Sequence, residues 1–259
     1  GGAVLRTNRS PILLEGAAPV AVRTIRINGV AYDARWTTVT NWAIAFPLGL
    51  GINSLEIVGF DSKDRPVTNA TARLTVDYTG PSESIVDRVV INEIMYHPDT
   101  PDADYVELYN ASLSQTFDLS RARLDGVDFT FADGTLIGPQ QCLMIVKDRG
   151  VFADTYRSWI PIAGEFQGRL DRGGETLKLV FPGAAPDQDL LVDRVTYDDV
   201  LPWPPEADGT GSSLQLIDPL QDNQRVANWT AVNTNGYAPP RWRRVAVTGK
   251  ATGSRLELS

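Results

Sequence analysis

Two glutamates have the spacing that is most suggestive of chemistry. Glu93 lies in INEIMYHP, residues 91–98, and Glu107 lies in DYVELYN, residues 104–110. Two strands that follow each other closely can bring such carboxyl groups together as a general acid and a general base. The alternative is a structural role, in which both carboxyl groups hydrogen-bond to neighbouring backbone. Because acid–base catalysis requires a displaced pKa, which the sequence does not indicate, we predict the structural role and no catalytic residue.

An acidic loop supplies the metal candidates. Asp99, Asp102 and Asp104 place three carboxylates within HPDTPDAD, residues 97–104. Calcium prefers oxygen ligands from loops of this kind, but the glycine that an EF-hand loop requires is missing. The competing interpretation is that these aspartates are solvated turn residues. We therefore expect solvated turn residues and no cofactor, with calcium at Asp99, Asp102 and Asp104 as the alternative.

One tryptophan is the ligand candidate. Trp203 lies between Pro202 and Pro204, which would hold an exposed indole rigidly. Such a ring can stack on a sugar or on the surface of a protein partner. The alternative is that Trp203 packs over the edge of a β-sandwich.

Two further reactive side chains have structural interpretations. His97 precedes Pro98, and no G-x-S-x-G nucleophile motif accompanies it in the chain. Cys142 lies in the apolar segment QQCLMIV, where a free thiol behaves as a small hydrophobic residue. We therefore expect a structural histidine and an inert cysteine.

The charge of the chain excludes two classes of partner. The 259 residues contain 24 Lys and Arg against 32 Asp and Glu, a net charge of −8, which disfavours nucleic acid and anionic membranes. A short basic patch at residues 241–244 does not change this balance. No apolar run approaches the roughly 20 residues of a membrane-spanning helix, so we expect no membrane insertion. Residues 1–80 carry +2 and the remainder −10, which suggests two units.

The elements that must position these residues are strands. Before residue 80, short β-rich runs alternate with turn residues. Trp42, Ile44 and Phe46 alternate along one face, and Asn28-Gly29 is a typical hairpin turn. We predict an immunoglobulin-like β-sandwich over residues 1–81, with residues 79–82 (TGPS) as the linker.

The second unit is also predicted to be β-rich. Only residues 148–158 show helical spacing, with Val151, Phe152 and Tyr156 on one side. Strict alternation would place Ile91, Glu93 and Met95 on one face of their strand. We assign residues 85–240 to this domain and residues 241–259 to a tail, which is a closing hairpin or the start of a further module. The predicted fold class is all-β, with two immunoglobulin-like β-sandwich domains in tandem.

An ordered set of motifs resembles a known family. INEIMYHP and DYVELYN are followed by FADGTLIGP, LPWPP and GTGSSLQLI, which begin at residues 131, 201 and 209. Together they resemble the lamin tail domain, an immunoglobulin-like module of nuclear lamins and of bacterial secreted or surface proteins. One departure is local: where the family usually has glycine and tryptophan, this chain has Arg121 and Ala122. The first unit resembles the small immunoglobulin-like modules of large bacterial surface proteins.

The resemblance implies a role without catalysis. No heptad repeat is present, so the filament role of lamins is not implied. We expect a structural, adhesion or partner-binding segment of a large exported bacterial protein, secreted or at the cell surface, monomeric, with a protein or glycan partner. One alternative is a carbohydrate-binding module that uses Trp203, with or without calcium. Another is an accessory domain of a hydrolase or kinase-like enzyme outside this sequence, which opens with Gly-Gly-Ala and is expected to be a fragment.

Overall fold

The computed structural model describes residues 4–156 and 160–233. Within these ranges the fold is mostly β, with 46 % strand and one short α-helix. The strands form several sheets, consistent with tandem β-sandwich domains. The predicted all-β class is confirmed.

Residues 4–78 form two sheets. Their strands are β1 (Val4–Thr7), β2 (Ile12–Ala17), β3 (Thr24–Ile27), β4 (Val30–Ala31), β5 (Arg35–Trp36), β6 (Asn41–Phe46), β7 (Gly51–Phe60) and β8 (Pro66–Tyr78). One sheet has the order β1-β8-β7-β3-β4 and the other β2-β6-β5. The β1–β8 pair is parallel and the other neighbours are antiparallel.

The hairpin between β3 and β4 forms where Asn28-Gly29 predicts it. Both residues have positive φ, 51° and 82°, as a two-residue turn with matching twist requires. Trp42, Ile44 and Phe46 of β6 are buried in the first core cluster together with Ile25 and Ile27 of β3. The two sheets therefore share one apolar core, because their inward faces alternate with exposed positions.

The second unit contains three sheets. Its strands are β9 (Val89–Met95), β10 (Tyr105–Asn110), β11 (Phe117–Asp118), β12 (Arg123–Asp125), β13 (Phe129–Thr130), β14 (Leu136–Ile137), β15 (Cys142–Val146), β16 (Ile162–Glu165), β17 (Glu175–Phe181), β18 (Leu190–Tyr197), β19 (Ser212–Leu216) and β20 (Trp229–Asn233). The sheet orders are β16-β15-β10-β9-β19-β20, β13-β12-β17-β18 and β11-β14.

The main core of this unit draws side chains from both large sheets. Ile94 and Leu214 of the six-stranded sheet are buried with Leu124 and Leu177 of the four-stranded sheet. A smaller apolar cluster lies on the other face of the six-stranded sheet, where Met95 and other side chains meet the helix. The six-stranded sheet is therefore covered on both faces, which explains why every residue of β10 is buried.

A bulge interrupts the pairing of β9 with β10. Glu107 pairs with Glu93, but the next residue, Leu108, pairs with Ile91, so Asn92 is the extra residue. Ile91 consequently packs in the main core together with Ile94. The predicted common face of Ile91, Glu93 and Met95 is wrong for Ile91, because one extra residue reverses the alternation.

Helix α1 spans Arg149–Tyr156, within the predicted segment. Asp148 begins it by accepting a hydrogen bond from the backbone N–H of Val151 at 2.8 Å. Phe152 and Tyr156 are buried, and both rings contact Tyr105 edge-on at centroid distances of 5.4 and 5.2 Å. The predicted buried side of the helix is therefore confirmed for these two residues.

Some predictions fall beyond the described ranges. The tail at residues 241–259, its basic patch and residues 234–240 of the predicted second domain lie outside them, so the boundaries 1–81 and 85–240 stay predictions. In the ranges that are described, no helix is long and apolar enough to cross a membrane.

Candidate functional site

Glu93 and Glu107 meet inside the six-stranded sheet. They lie opposite each other on β9 and β10, and both side chains are completely buried. The bulge at Asn92 directs Glu93 away from the main core and onto the face that Glu107 occupies. The sequence prediction that these two strands bring the carboxyl groups close is confirmed.

Side chains hydrogen-bond the pair. The hydroxyl groups of Tyr105 and Ser213 both donate to Glu93 Oε1 at 2.5 Å. The side-chain amide of Asn92 donates to Glu107 Oε1 at 2.7 Å. The partners described here are side chains, because these carboxyl groups lie on the face of the sheet, where neighbouring strands present side chains.

Burial changes the acidity of Glu93. Loss of hydration, followed by repulsion from Glu107, raises the pKa of Glu93 to about 8, against the opposing effect of the hydrogen bonds from Ser213 and Tyr105. This environment favours the neutral form of the Glu93 carboxyl group, which can donate a hydrogen bond as well as accept one. Because both carboxyl groups are sealed from solvent, this arrangement links strands β9, β10 and β19 rather than facing a cleft.

Cys142 lies next to this pair on β15. Burial, followed by the nearby charge of Glu107, raises the pKa of the Cys142 thiol far above its ordinary value. A thiol reacts as its thiolate, so the environment disfavours reactivity, in agreement with the expected inert cysteine.

His97 joins two loops. Its Nδ1 lies 2.6 Å from Asp208 Oδ1, and a Cβ added to Gly209 would approach the imidazole to 2.9 Å. The loop after β9 is therefore fastened to the loop before β19. This geometry fits the structural role that the sequence predicts for His97.

The three aspartates of the acidic loop are not grouped as metal ligands in the described residues. Asp99 and Asp102 are exposed and Asp104 is half-buried. Among the residues that the structure describes, no group of three or more His, Cys, Asp or Glu side chains could hold a metal ion. The structure therefore does not bring Asp99, Asp102 and Asp104 together as a group of ligands, which fits the preferred interpretation of solvated turn residues, and calcium at this loop stays a hypothesis.

Trp203 is not an exposed platform. Its side chain is 5 % exposed and packs against Trp229, with ring centroids 6.0 Å apart, in the main core. The candidate role of Trp203 as an exposed indole is not supported, and the packing alternative fits, because the indole lies in the core, whereas Leu201 in the same loop is 78 % exposed. A sugar has no open face of Trp203 on which to stack.

A junction between the two units is the feature that the sequence did not reveal. Arg121 donates to Asp133 Oδ1 at 2.7 Å and to the backbone oxygen of Gly29 in the first unit at 3.3 Å. Asp133 in turn accepts from the backbone N–H of Ala31 at 3.5 Å. The bond from Arg121 lowers the pKa of Asp133, which keeps this carboxyl charged.

Arg121 occupies the position at which this chain departs from the family pattern. Its φ is +64°, a conformation that glycine adopts without strain. The arginine therefore keeps a backbone shape suited to glycine and adds a guanidinium that reaches the first unit. This departure was the only signal in the sequence for the junction.

A second contact in the junction is a buried hydroxyl. Tyr32, 8 % exposed, donates a short hydrogen bond to Asp118 Oδ2. Burial, followed by this bond, raises the pKa of the Tyr32 hydroxyl, so it remains a donor. Asp118 also accepts from the backbone N–H of Ser120 at 2.8 Å, which fixes the carboxylate that Tyr32 meets.

Close packing completes the junction. Gly134 has φ +78°, and a Cβ added to it would lie 2.6 Å from the backbone oxygen of Ala31. Leu136, two residues later, packs against the core cluster of the first unit. The turn at residues 132–136 thus touches the first unit so closely that only glycine fits at its tip.

The sheets and these motifs define a β-sandwich module that follows the β-rich first unit. Residues 83–199 match the family described as Lamin Tail Domain, and they form a lamin tail domain. The region before residue 83 is β-rich and has no family assignment, so its resemblance to bacterial immunoglobulin-like modules stays a prediction.

Comparisons with curated proteins and with solved structures assign no function to the chain. No curated protein matches the chain. A solved structure from Bacteroides ovatus, the mixed-linkage glucan utilization locus protein SGBP-B in complex with a mixed-linkage heptasaccharide, is similar at 13 % identity with a TM-score of 0.21. The similarity covers 64 % of this chain and 50 % of that one, so the chain spans half the length of that protein. A likeness at this level supports no argument about fold or ligand.

Proposed function

We propose that this chain is a non-catalytic segment of an exported bacterial multidomain protein, in which the lamin tail domain and the preceding β-rich unit form one rigid scaffold. The observation that carries the proposal is the junction around Arg121, Asp133, Tyr32 and Asp118. Two domains joined by a short linker ordinarily move relative to each other unless their interface prevents it. A scaffold that presents neighbouring domains or a protein partner at fixed spacing requires two domains that do not move relative to each other.

The junction combines contacts that differ in strength. The Arg121–Asp133 pair is partly exposed, and exposed ion pairs contribute little stability. The ion pair instead fixes the orientation of the contact, since the guanidinium is planar and its N–H groups point in set directions. The buried Tyr32 and the partly buried Leu136 contribute contacts that resist separation.

The proposal of a role without catalysis is supported by the state of the ionisable groups. Glu93 and Glu107, the pair best suited to acid–base chemistry, are fully buried and hydrogen-bonded to neighbouring side chains. The export proposal is supported by the resemblance of the motifs to bacterial secreted members of the family.

Backbone-amide NMR relaxation on the full chain tests the rigid scaffold. We expect residues 4–78 and 89–233 to tumble with one common correlation time. The double variant Tyr32→Phe with Arg121→Gly should give the first unit a shorter correlation time. Arg73→Gln, which removes an exposed ion pair with Glu56 and none of the contacts between the two units named above, is the matched control and should not change the tumbling. Two different correlation times in the unaltered chain would overturn the proposal.

A separate assay tests the absence of catalysis. We expect no turnover of phosphoester, glycoside or peptide substrates by the full chain. Turnover that disappears in Glu93→Gln would contradict this expectation and would identify the buried pair as a reactive centre.

A further inference from the structure

A surface cleft in the first unit has no role in the scaffold. It has a volume of about 670 Å³ and is lined by residues 20–23, 36, 38–39 and 61–62. This volume lies within the range of about 300–1,000 Å³ that is usual for small-molecule sites. The lining comes from three separate loops and strand ends, so the fold, and not one local turn, creates the cleft.

One wall of the cleft is apolar and contains an aromatic ring. Trp36 is half-buried, with part of its side chain against the first core cluster and part lining the cleft. Val20 and Val39 beside it are 69 % and 75 % exposed, so apolar surface faces the solvent there. In the described ranges the indole N–H of Trp36 donates no hydrogen bond, so it is available to a ligand.

Of the two charged side chains that line the cleft, Arg23 and Asp61, only Arg23 is without a side-chain partner in the described part of the chain. Asp61 is already occupied, because it accepts from the Arg65 side chain at 2.8 Å and from the backbone N–H of Lys63 at 2.8 Å. Arg23 and Ser62, in contrast, have no side-chain hydrogen bond or ion pair with any residue of the described part. The uncommitted groups are therefore a guanidinium, a hydroxyl and an indole N–H.

We propose that this cleft binds a carboxylate-bearing saccharide, of the uronic acid class. A sugar ring presents an apolar C–H face that packs on an indole and on valine side chains. A guanidinium binds a carboxylate through two parallel hydrogen bonds, which gives both charge and direction. A neutral sugar would leave Arg23 unpaired, and a ligand rich in donors would find the carboxylate of Asp61 already engaged. This binding site goes beyond the proposed scaffold role and does not depend on the junction.

Isothermal titration calorimetry on the full chain tests the proposal. The probes are trisaccharides of glucuronate, galacturonate and mannuronate, each compared with the neutral trisaccharide of the same linkage. We expect at least one uronate to bind at millimolar concentration or below. The matching neutral sugar should bind more than about tenfold more weakly, because a charge-assisted hydrogen bond is lost.

Two variants assign the binding to the cleft. Arg23→Gln should weaken uronate binding more than about tenfold and leave the neutral sugar unchanged. Arg35→Gln is the matched control, since Arg35 is an exposed arginine adjacent to Trp36 that does not line the cleft. It should leave binding unaltered.

Trp36→Ala, with folding checked by NMR, should abolish binding. If this variant does not fold, Val39→Asp, at an exposed position, should weaken uronate binding by placing a like charge in the cleft. Absence of binding by every uronate, equal binding of the neutral sugars, or no effect of Arg23→Gln would overturn the proposal. Binding of a short peptide through its C-terminal carboxylate, without binding of any uronate, would overturn it as well.

Discussion

Glu93 and Glu107 face each other across adjacent strands with no part of either side chain exposed to solvent. Two negative charges in this buried site would raise the free energy of the folded state, so one carboxyl group retains its proton. The hydrogen bonds from Tyr105 and Ser213 lower the pKa of Glu93, but the loss of hydration and the repulsion from Glu107 outweigh them. The consequence is a pH dependence of stability that an exposed glutamate does not produce.

Glu93→Gln should flatten the pH dependence of unfolding. The folded pKa of Glu93, about 8, is above its ordinary value of 4.5, so the folded chain binds more protons at this site than the unfolded chain. The stability contributed by this proton is complete below the unfolded pKa and is lost as the pH rises through the folded pKa. The slope between these values is about 1.4 kcal/mol per pH unit. Glutamine keeps the acceptor for Tyr105 and Ser213 without the titration.

Urea denaturation between the two pKa values measures this difference. The unaltered chain should lose stability relative to Glu93→Gln with each step in pH. Glu56→Gln, at a half-exposed position in the first unit, is the control and should run parallel to the unaltered chain. Parallel curves for Glu93→Gln would show that Glu93 is ionised at neutral pH and would contradict the prediction.

Local patterns predicted much of the fold. The Asn28-Gly29 turn and the alternating Trp42, Ile44 and Phe46 depend on neighbours in sequence, and the structure follows them. The bulge at Asn92 was not predicted, because one extra residue is defined by pairing with another strand and leaves no mark in its own strand.

In the candidate sites, too, contacts between sequence neighbours were predictable and contacts between distant residues were not. The approach of Glu93 to Glu107 follows from two consecutive strands, but Ser213, which holds Glu93, lies 120 residues away in sequence. The sequence left exposure and packing of Trp203 both open, because its flanking prolines describe a rigid loop and not the side of the loop on which the indole lies. The junction was missed because Tyr32 and Asp118 are 86 residues apart.

The Tyr32 and Asp118 side chains should be energetically coupled. Tyr32→Phe removes a donor to a carboxylate, and hydrogen bonds to charged groups contribute about 1.5–3 kcal/mol. A double-mutant cycle with Asp118→Asn, measured by urea denaturation, should therefore give a coupling energy of about 1 kcal/mol or more. If the two changes are additive within about 0.5 kcal/mol, the hydrogen bond does not hold the units together.

Trp203→Ala should be strongly destabilising. The indole fills the main core beside Trp229, and replacing a buried tryptophan with alanine costs about 3–5 kcal/mol. Leu201→Ala, in the same loop at 78 % exposure, should change the free energy of unfolding by less than about 0.5 kcal/mol. Equal effects of the two changes would mean that Trp203 lies outside the core in solution.

Gly134→Ala should cost more than Gly29→Ala. Both glycines have positive φ, so alanine at either position introduces backbone strain of about 1–2 kcal/mol. A Cβ at Gly29 meets nothing within 4 Å, whereas one at Gly134 would lie 2.6 Å from the backbone oxygen of Ala31. Because backbone cannot move aside as a flexible side chain can, the clash adds about 1–3 kcal/mol to the cost of the substitution and is relieved when the two units separate.

Urea denaturation should show the larger loss of stability for Gly134→Ala, and NMR relaxation should show faster tumbling of the first unit in this variant alone. Equal losses with unchanged tumbling would show that the turn at residues 132–136 does not bear on the first unit.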